Sequence, residues 1–168
     1  MVKNKFGIAV LAICLICSVL SCSYMDGDVT EWEAKEVIMK VREHLDFFYS
    51  QHYDEYKAGA VITDIDTPPN MKEKKMESTV ESYSITDYKI SYKEKVKFDN
   101  WSGDGSLPYM NIYGTITHEY NDYSHTINGT LKLLNCDNNV DNITMDIVID
   151  SAGQITGTVK ADAQEFTW

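Results

Sequence analysis

The sequence predicts an α+β domain in which one long N-terminal amphipathic helix packs on an antiparallel β-meander of about 5–6 strands. Three observations predict it. Apolar residues recur at helical spacing from Trp32 to Tyr56, they alternate with polar residues from Thr79 onward, and short polar turns separate the alternating runs. At 168 residues, 43% apolar and 11% aromatic, the chain has enough apolar surface for a core and is no acidic disordered chain. The net charge of −11 argues against a nucleic-acid partner, which demands a basic footprint.

The chain opens with Lys3 and Lys5, runs uncharged and mostly apolar from Phe6 to Leu20, and closes that run with Ser21, Cys22 and Ser23. These are the parts of an export signal. Val19-Leu20-Ser21-Cys22 resembles the lipobox of bacterial lipoproteins, with Val19 where leucine is commonest. Cys14 and Cys17 each follow an isoleucine, too large for the position before the cut, so only Cys22 fits. The resemblance covers residues 1–22 and implies a signal peptide over 1–21, a lipidated tether over 22–28 and a single domain over 29–168. It implies a bacterial cell envelope location with the membrane as partner through lipid on Cys22, since several acyl chains hold far better than one. Ser23, rather than aspartate, follows Cys22, which resembles an outer-membrane lipoprotein. The alternatives are an ordinary cleaved signal and a retained membrane helix; no charge appears from Phe6 to Met25, although Ser18, Ser21 and Ser23 make it a poor span. With Cys14 and Cys17 removed and Cys22 lipidated, Cys136 has no disulfide partner.

Thr30-x-x-Glu33 is a capping box, and Glu31 and Glu33 suit the positive end of a helix. Ile38, Val41, Leu45, Phe48 and His52 follow at steps of three and four, so one helix of about seven turns should run to Ala58-Gly59. Ala60 to Ser78 holds Pro68-Pro69 and a charged cluster from Lys72 to Lys75; it reads as a connector with a short strand at Val61–Ile65. Tyr88, Ile90, Tyr92, Val96 and Phe98 then alternate with lysines and Ser91, a half-buried strand with a wet face. Asn100 to Pro108 reads as a loop. Further strands are expected at 110–120, 123–134, 142–150 and 155–162, separated by Asn121-Asp122, Cys136–Asp141 and Ser151-Ala152-Gly153.

Gly114, Gly129 and Gly157 each precede a Thr-aliphatic pair and share the parity of the apolar face. They predict a groove or line of curvature where the helix crosses the sheet, or else a ligand slot. A hairpin turning at Asn121-Asp122 pairs Ile112 with Leu131, Gly114 with Gly129 and His118 with His125. His52 lies on the helix stripe and would bring a third imidazole, a zinc or copper arrangement with an open fourth position. The plain alternative is two half-buried histidines beside tyrosines, and no short-spaced metal motif is present.

Glu94 breaks the apolar face of its strand; a buried acid, an edge position and a partner to a lysine are all open readings. Asp137, Asn139 and Asp141 alternate like calcium ligands, but Asn142 and Val148 stand where the turn glycine and bidentate glutamate belong, so a polar turn is the simpler reading. The eleven tyrosines suit sheet packing or an aromatic surface for an envelope protein or a glycan, with Tyr113 the best single candidate. No Ser-His-Asp order, phosphate loop or nucleotide fingerprint appears, so neither a catalytic residue nor a cofactor is expected. The leading expectation is a lipid-anchored binding or scaffolding domain; its rival is a metal-dependent or small-ligand-binding enzyme using the histidines.

Overall fold

The computed structural model describes residues 29–66, 73–101, 111–134 and 140–168. The signal and tether with Cys14, Cys17 and Cys22 lie outside the described residues, as do Cys136, Asp137 and Asn139.

Helix α1 (Glu31–Gln51) begins at the expected box: Thr30 Oγ1 accepts the Glu33 N–H at 3.3 Å, and Glu33 Oε2 accepts the Thr30 N–H at 2.7 Å. Its buried stripe is Ala34, Val37, Ile38, Val41, Leu45 and Phe48. The single seven-turn helix is not what forms. His52 leaves helical geometry (φ −120°, ψ 28°) and starts a second helix, α2 (Tyr53–Ala58), which ends at Gly59 with φ +66°. The apolar spacing runs straight through the break, so periodicity alone could not reveal it.

Among the described residues eight strands follow as one antiparallel sheet in chain order: β1 (Val61–Asp66), β2 (Lys74–Thr86), β3 (Lys89–Trp101), β4 (Asn111–Asn121), β5 (Ser124–Leu134), β6 (Val140–Ile149), β7 (Ile155–Ala161) and β8 (Gln164–Thr167). The class is α+β but mostly β, with more strands than expected. Lys74–Ser78, read from sequence as connector, belongs to β2, and Asp87-Tyr88 turns the chain between β2 and β3. Asn100 and Trp101 close β3 instead of opening a loop.

The expected β4–β5 register is corrected by two residues. Asn121 pairs with Ser124, so Asp122-Tyr123 is the turn, and both its residues are left-handed (φ 48° and 71°). The β2–β3 turn repeats this with Asp87-Tyr88 (φ 52° and 64°). Consequently His118 lies opposite Ile127 and His125 opposite Tyr120, with Gly114 opposite Leu131 and Gly129 opposite Ile116. A two-residue shift keeps every side chain on its face, which is why parity could not distinguish the two registers.

The glycines answer to the sheet, not to the helix. A Cβ on Gly114 would strike the backbone of β5 at Thr130 and Leu131; one on Gly129, β4 at Thr115 and Ile116; one on Gly157, β6 at Asp146 and Ile147. All three have φ between +117° and +144°, a conformation that essentially only glycine adopts. The core lies between the helix stripe and the inner sheet face, which supplies Val96, Phe98, Ile116, Ile127, Leu131, Ile143, Met145, Ile147 and Val159. Near the start of α1, Trp168 Nε1 donates to Glu31 Oε1 at 2.6 Å, and Lys35 lies over the same indole at 4.9 Å.

Candidate functional site

The inner face of β3 runs Tyr92, Glu94, Val96, Phe98, so an acid sits where an aliphatic side chain belongs. Glu94 is fully buried, and a buried carboxylate persists only when its oxygens are satisfied. They are. Tyr56, turned inward by α2, donates to Oε2 at 2.6 Å, and Ser78 on β2 donates to the same oxygen. His118 Nδ1 on β4 meets Oε1 at 2.8 Å. The break at His52 therefore has a use, since it begins the short helix that delivers the Tyr56 hydroxyl to the acid.

The chain of contacts continues outward. His118 Nε2 lies 3.1 Å from His125 Nδ1, with the two rings near parallel at an interplanar angle of 8°. Because β4 and β5 pair with Tyr120 opposite His125, the imidazoles meet diagonally across the strands instead of face to face. His125 Nε2 then points toward Asp46 Oδ1 of α1 at 3.7 Å, and Arg42 Nε is 3.5 Å from Asp46 Oδ2. Glu94, His118, His125 and Asp46 thus form a line from the core to a surface cleft.

That cleft, about 320 Å³, is lined by Arg42, Asp46, Tyr120, Tyr123, His125 and Ser151. Tyr120 and Tyr123 come from the β4–β5 hairpin, and Tyr120 lies edge-on to His125 at 5.2 Å between centroids. Behind it a stack of tyrosine rings, Tyr120 on Tyr92 at 5.1 Å and Tyr92 on Tyr49 at 4.8 Å, fixes its orientation.

Burial, then the charges of His118 and Arg42, push the His125 imidazole down to about 3, so it is neutral at neutral pH. Burial pushes the Asp46 carboxyl up, against the pull of Arg42 and His118. The tautomer of His125 follows from its partner. When His118 is neutral, its Nδ1–H donates to Glu94 and its Nε2 accepts from His125 Nδ1–H, leaving His125 Nε2 an acceptor at the cleft. One more proton on His118 reverses the bond between the rings, and His125 Nε2 becomes a donor.

A pH dependence of stability follows. The unfolded chain protonates His125 near 6.5 but the folded one holds it neutral down to about 3, so the unfolded state binds more protons in between. Stability should therefore fall as pH drops from 6.5 toward 3, and His125→Gln should flatten that fall in urea midpoints. Asp46, whose raised value makes the folded state the better proton binder, works in the opposite direction above its ordinary 3.8. An unchanged pH profile in His125→Gln would contradict the assignment.

Of the residues expected from sequence, His118 and His125 are brought together and His52 is not. Half-buried at the helix break, His52 packs its ring 4.6 Å from Phe48, and its Nδ1 lies 3.5 Å from Glu55. Among the described residues no group of three or more His, Cys, Asp or Glu is arranged to hold a metal. Tyr113 lies on the other sheet face, half-buried, donating to Asn100 Oδ1 at 2.7 Å; it does not line the cleft. Sequence reasoning missed Arg42, Asp46, Tyr56, Ser78 and Ser151. One signal was available: Arg42 and Asp46, four residues apart, flank the buried stripe beside Leu45. Comparison with protein-family models, curated proteins and solved structures gave no match.

Proposed function

We propose that the chain is a lipid-anchored protein of the bacterial cell envelope whose folded domain binds a partner at the cleft without transforming it. The observation that carries the anchor is the run Val19-Leu20-Ser21-Cys22 behind a basic, apolar leader. The geometry supports the binding role. Asp46 stands about 22 Å along α1 from Glu31, at 1.5 Å per residue, so the cleft lies toward the end of α1 away from Thr30. Arg42 and Asp46 oppose each other there, and the two tyrosine rings give contact area with little conformational entropy to lose.

In cells fed labelled palmitate, the wild-type chain should incorporate label, and Cys22→Ala should abolish it and leave an uncleaved precursor. Unchanged labelling of the variant would refute the anchor. An enzyme reading has the relay on its side, because an imidazole backed by a second imidazole and a carboxylate is oriented as a general base. One measurement separates the two: recovery of a bound ligand chemically unchanged supports binding, and its conversion supports the enzyme.

A further inference from the structure

The geometry points to the occupant of the cleft: a neutral, hydroxyl-rich ring, that is, a sugar unit of a glycan, held between Tyr123 and the Arg42–Asp46 pair with one hydroxyl on His125 Nε2. This rests on the binding reading above and names the ligand class for it.

Four features of the lining lead there. The site carries one cation and one carboxylate, 3.5 Å apart, so it offers no net charge to an ionic ligand, and the protein's charge of −11 opposes anions at longer range. Its apolar surface is aromatic, supplied by Tyr120 and Tyr123, and a ring face suits the C–H face of a saturated ring. The polar groups are planar or hydroxylic (guanidinium, carboxylate, imidazole, Ser151) and mix donors with acceptors at close range, as adjacent hydroxyls require. The fourth feature is the relay. His125 Nε2 is an acceptor or a donor according to the proton on His118, and a hydroxyl, which both donates and accepts, satisfies it in either state.

Tyr123 is the more exposed of the two rings that line the cleft. It is 68% exposed and sits at φ +71°, a position where a type I′ turn favours glycine. Tyr88 on the neighbouring hairpin has the same backbone geometry and is fully exposed, so what distinguishes Tyr123 is its place in the lining of the cleft.

The test uses the full-length lipidated protein in detergent, titrated with neutral sugars (glucose, galactose, mannose, N-acetylglucosamine and their β-linked disaccharides). Binding is followed by calorimetry and by the imidazole ¹⁵N signals of His125. At least one sugar should bind saturably and shift the His125 Nε2 signal. Tyr123→Gly, which relieves the strained turn and so preserves the fold, should weaken binding at least tenfold, as should Asp46→Asn. Tyr88→Gly, at the equivalent place on the neighbouring hairpin, should leave it within twofold. The Cys22→Ala protein should bind the same sugar equally well, so failure of the anchor and failure of the ligand assignment are read separately. The proposal is overturned by absence of saturable binding across the panel. It is equally overturned by binding that Tyr123→Gly leaves intact, or by stoichiometric Zn²⁺ binding at His125 in place of any sugar.

Discussion

Gly129→Ala should destabilise the protein by about 4 kcal/mol, with backbone strain and overpacking contributing about 2 kcal/mol each. Gly129 holds φ +144° in β5, and a Cβ there would lie 2.6 Å from the Thr115 carbonyl oxygen and 2.8 Å from the Ile116 Cα. Both atoms are backbone of β4, and β5 is paired on its other side to β6, so the strand cannot retreat without breaking a ladder. Gly59→Ala supplies the control. It has a positive φ of 66° but nothing within 4 Å of the new Cβ, and should lose only about 1 kcal/mol. Urea midpoints of the two variants measure the difference; equal losses would show that conformational preference, not the close approach of strands, retains glycine in the sheet.

His118→Leu should cost about 3–5 kcal/mol, because it strands the Glu94 carboxylate in the core and leaves His125 Nδ1 without its partner. The useful comparison is a double-mutant cycle with Glu94→Leu. Each single replacement leaves one buried atom, Glu94 Oε1 or His118 Nδ1, without its partner, whereas the double variant removes both atoms, so its loss should fall short of the sum by about 2 kcal/mol or more. Additive losses would mean that the two groups are stabilised independently, and the relay would then be a coincidence of packing.

These two sites mark what was legible in the sequence and what was not. The start of α1 was readable to the residue, because a capping box is a local code in which Thr30 and Glu33 satisfy each other's backbone. The inward-facing residues of β3, β4 and β5 were readable as well, since alternation depends on parity alone. Register was not. Pairing glycine with glycine and histidine with histidine is attractive by symmetry, yet the sheet sets each glycine opposite a large aliphatic residue that covers it. Glu94 was visible as an anomaly, but its partners come from α2, β2 and β4, and no local pattern joins Tyr56, Ser78 and His118. The break at His52 was hidden because the apolar spacing continues through it. β8 was missed because four residues, Gln164 to Thr167, are too few to show a period.

The contact between Trp168 and Glu31 spans 137 residues, so the start of α1 is closed off by an indole that follows β8. Each strand pairs with its neighbour in the chain, but the wall over the stripe of α1 is complete only with β7 beside β6. Burial of the helix therefore depends on contacts of long sequence separation, which are slow to form. A fold closed by such distant contacts exposes the apolar stripe of α1 in every partly folded state that lacks β7.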